Sequence, residues 1–89
     1  MYRFEITRRA QHELDNIHSK ELERIIVALK NLRVNPRPKN CKKLRRTIYR
    51  VRQGNWRIVY AVFDKEKLVI IGKIARRSES TYDGLDYLF

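Results

Sequence analysis

The second half of the chain carries four arginines and a tyrosine whose types and spacing suit the handling of a phosphate ester: Arg50, Arg52, Arg57, Arg76 and Tyr82. Three of them sit in the stretch 48–60, "IYRVRQGNWRIVY", where two apolar-rich runs flank a Gln-Gly-Asn turn. Alternate residues of a strand share a face, so Arg50 and Arg52 point the same way. Arg57 follows just past the turn, and Arg76 ends the next apolar run. The expectation is four guanidinium groups from three neighbouring strands converging on one concave face. Several unpaired cations are costly to bury together, so such a face stands open to water or is filled by anions. A solvated outer face is the plain alternative. Arginines beside aromatics, with no acid close in sequence, favour phosphate or RNA, because the guanidinium fork matches phosphate and stacks on bases. Tyr82 lies in a Ser/Thr-rich stretch and is either an exposed aromatic or a stacking and proton-transfer group.

The charge around these residues points the same way. Lys and Arg number 21 against 10 acids, a net charge of +11. Between Glu23 and Asp64 there are twelve Lys or Arg and no acid. A field of this sign attracts phosphate backbones or an acidic protein. Solubility is the competing reading. An anionic membrane surface fits poorly, since the basic block includes two strand patterns rather than one amphipathic helix. Within the block, 37–46 reads "RPKNCKKLRR", and its Lys39, Lys42, Lys43, Arg45 and Arg46 are expected to contact RNA backbone, as is Arg77 after the last strand. A solvated loop is the alternative for this segment.

Other chemistries fade. His12 and His18 are six apart, about 240° around a helix axis, so they do not form a pair. Cys41 stands alone, with no zinc spacing around it. No P-loop and no Gly-x-Gly-x-x-Gly is present. Neither metal nor organic cofactor is expected. Glu79, the acid near the arginines, reads as a counter-ion for Arg76 or Arg77 more readily than as a base.

The elements that must position these groups follow from the pattern. Residues 2–7, "YRFEIT", alternate as a half-buried strand. Residues 8–18 place Ala10, Leu14 and Ile17 at helical spacing, with Thr7 as N-cap. A second helix, with Ser19 as its expected N-cap, carries the stripe Leu22, Ile25, Ile26, Leu29 and Leu32, and ends at Asn35-Pro36. Two prolines around Arg37 predict an irregular basic loop over 35–47. Three strands then alternate with short turns: "TIYRVR", "WRIVYAVF" and "LVIIGKIA". The middle one is apolar on both faces and so is covered on both sides. The tail "RRSESTYDGLDYLF" reads as loop or a short turn of helix that docks through Leu85, Leu88 and Phe89. The predicted fold is therefore α+β. It is a small antiparallel meander of about four strands, in the order β-α-α-β-β-β, with an N-terminal helical hairpin on one face and a short C-terminal tail. Eighty-nine residues make a single domain, 1–89. With one cysteine, no apolar leader and no stretch near the roughly 20 residues that span a bilayer, a soluble cytoplasmic protein is expected.

This element order, with "YRVRQGNWRIVYAV" at 49–62 and "IARRSESTY" at 74–82, resembles the RelE/ParE superfamily of type II toxin–antitoxin toxins. The first segment is similar to the family's Y-K-I-K … G-x-x-R-x-V-Y hairpin, the second to its strand–R–x5–Y ending. The resemblance implies one of two activities. RelE-like members cleave mRNA, typically in the ribosomal A site. ParE-like members inhibit DNA gyrase without nuclease chemistry. The positions matching the nuclease set are Arg50, Arg52, Arg57, Arg76 and Tyr82, which favours the RelE-like branch. It implies metal-free attack of the RNA 2′-OH on its own phosphate, leaving a 2′,3′-cyclic phosphate. Arg52, Arg57 and Arg76 would stabilise the charge, Arg76 would also serve as leaving-group acid, and Arg50 would position backbone or a base. The first two cationic positions, lysine in the best-known pattern, are arginine here, and arginine holds its proton at ordinary pH. The base would therefore be Tyr82, its phenol favoured as the anion by nearby guanidinium groups. The resemblance also implies a cognate antitoxin, and mRNA and the ribosome as partners. A non-catalytic RNA-binding module is the remaining alternative.

Overall fold

The computed structural model describes residues 1–76 and Phe89. The chain forms β1 (Arg3–Ile6), α1 (Arg8–Asp15), α2 (Ser19–Val34), β2 (Cys41–Lys43), β3 (Ile48–Gln53), β4 (Trp56–Phe63) and β5 (Leu68–Arg76). The architecture is α+β, as the pattern predicts, but the sheet has five strands in the order β1-β5-β4-β3-β2. The extra strand is β2, in the segment read as irregular loop; its three residues follow the second proline and pair antiparallel with β3. β1 joins the far side, parallel to β5, so the sheet is mixed rather than a pure meander.

Local chemistry explains the elements. The Thr7 hydroxyl accepts a hydrogen bond from the Ala10 amide and caps α1, as expected. α1 ends at Asp15, three residues earlier than the periodicity suggests, with Asn16 as C-cap. The capping position of α2 is held by His18, without a side-chain cap bond, and Ser19 is the first residue of the helix rather than its cap. Gly54 opens the β3–β4 turn at φ +59°, the left-handed geometry that a glycine takes at the first corner of a type II′ turn.

The helices cover one face of the sheet. α1 contacts β5 and α2 contacts β3. Ala10, Leu14, Ile17, Ile25, Leu29 and Leu32 from the helical layer meet Tyr49, Val51, Ile58, Tyr60, Val62, Val69, Ile71 and Ile74 from the sheet. On the other face a smaller cluster joins Val59, Leu44 and Ile48. β4 is thus covered on both sides, with Val59, Tyr60, Ala61 and Val62 all buried. Where β1 runs out along β5, α1 takes over: the Glu13 carboxylate accepts from the Ile74 amide, and the Thr7 hydroxyl donates to the Gly72 carbonyl. That satisfies part of an otherwise open edge. No described helix is long and apolar enough to cross a membrane.

One irregularity decides which residues face which way. Between Val59 and Tyr60 of β4 the register with β5 shifts, and Gly72 has no counterpart on β4. The ring of Phe89 occupies the place a Cβ on residue 72 would need, with two ring carbons 2.5 Å from it. The tail's expected docking onto the sheet is seen at this residue; Leu85 and Leu88 lie outside the described residues.

Candidate nucleic-acid interface

Residues paired across neighbouring strands share a face, with Cα atoms about 4.5–5.5 Å apart. Register therefore maps the helix-free face directly. Arg52 pairs with Arg57, and Arg57 with Ala75, which makes one row. Lys42 pairs with Arg50, Arg50 with Val59, and Val59 with Lys73, which makes the next. Arg50, Arg52 and Arg57 are thus brought together on one face, as their spacing predicts. Glu5 is the sole acid in the five described strands. It lies on the same face at the β1 edge, in the row of Ile70, Ala61 and Ile48.

Arg76 is not with them. It pairs with Trp56 on the helix side, its guanidinium 4.8 Å from the indole centroid. The expectation of four converging arginines assumes an unbroken ladder. The Phe63–Leu68 register continued without interruption would pair 58 with 73 and 55 with 76, putting Lys73 in the core and Arg76 beside Arg57. The bulge at Gly72 moves each of them to the opposite face. Lys73 is the cation that the sequence pattern does not reveal. Its signal is the glycine just before it, since a lone glycine within a strand marks a bulge.

Burial distinguishes the cations. Arg50 and Lys73 are each only 7% exposed, the two buried charged residues of the described chain. The Arg50 Nε–H is buried with no acceptor among the described residues. Arg57 is half-buried and Arg52 exposed. The basic segment flanks this face. Lys39, Lys42, Lys43, Arg45 and Arg46 are all solvent-accessible; of the two in β2, Lys42 shares the face of Arg50, while Lys43 pairs with Tyr49 on the helix side. Arg45, Arg46, Thr47 and Ile48 line an open hollow of about 590 Å³. Arg77, Glu79 and Tyr82 lie outside the described residues.

A polar clamp holds the root of the basic segment. Arg37 reaches Asp64 in the β4–β5 turn through both terminal nitrogens, at 3.2 and 2.7 Å. Its Nε donates to the Tyr49 hydroxyl at 3.0 Å, and the guanidinium lies over that ring. Tyr49 stacks on Tyr60, whose buried hydroxyl donates to the Pro36 carbonyl at 2.6 Å. Hydrogen bonds from Arg37 and from Tyr2 hold the Asp64 carboxyl below the usual carboxylate range. Donating that bond to Asp64 leaves the Tyr2 phenol above its ordinary value, and burial pushes Tyr60 higher still. On the helix side, the Trp56 indole donates to Glu21 beside a hollow of about 120 Å³, an arrangement that packs the hairpin tip against α2. Among the described residues no cluster of His, Cys, Asp or Glu can hold a metal ion.

Comparison with known proteins agrees with this architecture. Residues 4–81 match the family described as ParE toxin of type II toxin–antitoxin system, parDE. The RelE1 relative from Methanocaldococcus jannaschii is 32% identical over 81 residues, covering 85% of this chain and 90% of that protein. The archaeal RelE–RelB complex from Pyrococcus horikoshii superposes with a TM-score of 0.80 at 27% identity, over 89% of this chain and 98% of that one. Isolated Escherichia coli RelE gives 0.78 at 21% identity, over 91% and 89%, a likeness of fold. With its hairpin of arginines on a RelE-type sheet, the chain belongs to the RelE/ParE superfamily of type II toxin–antitoxin toxins, on the RelE-like side.

Proposed function

We propose that this toxin is an mRNA-cleaving endoribonuclease that acts on the ribosome. The observation that carries the reading is the helix-free face, where two adjacent rows set Lys42, Arg50 and Lys73 beside Arg52 and Arg57. Such a face suits a polyanion. The reaction is internal transesterification: the 2′-oxygen bonds to phosphorus, the bond to the 5′-oxygen breaks, and a cyclic phosphate and a 5′-hydroxyl result. The proton of the 2′-OH passes to a base and a proton reaches the departing oxygen. Arg52 and Arg57, side by side across two strands, neutralise the charge that builds on the phosphate oxygens. Arg50 has no basic form at ordinary pH and binds rather than titrates. The base is assigned to Tyr82 on the family resemblance; the leaving-group role that the resemblance implies for Arg76 is not carried over, because Arg76 lies over Trp56 on the helix side of the sheet. Positioning by the ribosome supplies the alignment that so few titrating groups cannot. The partners are mRNA, the ribosome and a cognate antitoxin. For the antitoxin, the support is the antitoxin-bound relative from P. horikoshii and a net charge of +11 that suits an acidic or amphipathic segment. A cytoplasmic location goes with that substrate.

Primer extension on translated mRNA tests the reading. Wild type is expected to cut within the A-site codon, and Arg57→Ala and Tyr82→Phe to lose about 10²-fold or more, the usual worth of one charge-stabilising or proton-transfer group. Full cleavage and growth arrest by both variants would remove the catalytic assignment. The family match, described as a ParE toxin, favours one second reading, a gyrase inhibitor. Blocked supercoiling with intact ribosomal mRNA would select it.

A further inference from the structure

We propose that the hollow at the tip of the β3–β4 hairpin is a nucleobase-binding pocket for the RNA strand held at Arg52 and Arg57, selective for a base with an exocyclic amino group. The inference deepens the ribonuclease reading and rests on its RNA-bound face.

Three observations support it. First, the hollow has the walls of a base site. Half-buried Trp56 and buried Ile25 form its apolar side, and Glu21, Arg24, Gln53 and Asn55 supply its polar rim. At about 120 Å³ it takes a single flat ring system, well short of the 300–1,000 Å³ of sites for larger ligands. Second, its charges select the ligand class. The Trp56 indole donates to Oε2 of Glu21 at 3.3 Å, and a carboxylate has room to accept further donors. A carboxylate at the rim repels phosphate but accepts from an amino group, as Glu does from N4 of cytosine. Arg24, one helical turn along the same face of α2, donates to a ring nitrogen or carbonyl beside that amino group. The guanidinium of Arg76 over the indole holds the ring in place. Third, the pocket adjoins the arginine row. The Gln53–Trp56 pair follows the Arg52–Arg57 pair directly, one strand step of about 3.4 Å away, and closes the hairpin. Alternation puts the arginines on the helix-free face and Trp56 on the helix side. Gly54 lies at the corner between them, with open space where a Cβ would stand. A strand held by its phosphates at Arg52 and Arg57 can therefore turn over the tip and seat its next base in the hollow. Unpaired bases that splay out in this way are the usual targets of RNA recognition.

Trp56 is the only tryptophan of the chain, so its fluorescence reports on the pocket. The probes are short 2′-O-methyl oligonucleotides, which cannot be cut: cytidine, adenosine and uridine series, and an abasic series with the same phosphates. The cytidine and adenosine series are expected to quench the tryptophan saturably. The uridine series, without an amino group, is expected to bind roughly tenfold more weakly, the worth of one charge-assisted hydrogen bond. The abasic series is expected to bind without quenching. Glu21→Gln is expected to erase the difference between cytidine and uridine. Arg24→Met, at an exposed position, is expected to weaken the cytidine series several-fold, so the result does not depend on one variant folding. Equal affinity for cytidine and uridine in the wild type, equal quenching by the abasic series, or wild-type preference in both variants overturns the pocket. If any of these accompanies normal cleavage of translated mRNA, the ribonuclease reading stands without it. Base-dependent quenching by a protein that leaves translated mRNA whole overturns the ribonuclease reading and keeps the pocket as part of an RNA-binding module.

Discussion

Tyr60 shows how much one hydroxyl does. Its ring is fully buried between Tyr49 and the core, and its O–H donates to the carbonyl of Pro36, where α2 gives way to the basic segment. Tyr60→Phe keeps the ring but leaves a carbonyl without its donor. Stability is expected to fall by about 1–3 kcal/mol, read from urea unfolding. An unchanged midpoint would mean that water replaces the bond. At this same scale the site is partly legible in the sequence. Strand alternation suffices to group Arg50, Arg52 and Arg57. It fails for Arg76 and overlooks Lys73 for a single reason: one extra residue in a ladder inverts everything beyond it, and a glycine among eight apolar or basic neighbours is a weak sign of where that happens.

At the scale of elements, the clamp between Arg37 and Asp64 ties the start of the basic segment to the β4–β5 turn. Asp64 titrates below its ordinary range because Arg37 and Tyr2 bond its charged form. A carboxyl lowered in the folded state contributes stability above the unfolded value, near pH 4, and that contribution disappears as pH falls through the folded value. Wild type is therefore expected to melt higher than Asp64→Asn at neutral pH, with the two curves converging on the acid side of about pH 4. Parallel curves down to about pH 2.5 would show that the pair adds nothing. The helices, the β3–β4 hairpin and the β4–β5 meander follow from periodicity and turn chemistry. The β2 strand does not. Three residues after two prolines carry too little pattern, and they pair only because β3 offers an open edge. The parallel placement of β1 depends on a neighbour far away in sequence, Leu68 for Arg3, which no local signal encodes.

Across the whole molecule, the separation of charge from core is the organising fact. One face of the sheet is sealed by helices, and the other gathers Lys42, Arg50, Arg52, Arg57 and Lys73, with an exposed basic segment at its edge. Converting Lys39, Lys42 and Lys43 together to Glu is expected to weaken ribosome binding strongly and to lower the salt slope by about 2, one unit or slightly less for each phosphate no longer neutralised. Binding with an unchanged slope would leave the segment as solvated surface. Net charge alone points to a polyanionic partner, because a field of one sign is a property of composition. Which lysine stands beside which arginine is a property of register.

The pairing of the first strand with the last has a further consequence during synthesis. Residue 3 leaves the ribosome early, yet its hydrogen-bonded partner strand begins at residue 68. Until β5 emerges, β1 has nothing to join, β4 keeps a bare edge, and the row that ends at Lys73 lacks its final cation. Non-local pairing of this kind forms late and slowly. A growing chain therefore carries its basic block long before it has the closed sheet that gives those charges their arrangement. On the ribonuclease reading, a nascent toxin of this design has no assembled site, and its potency arrives only with β5.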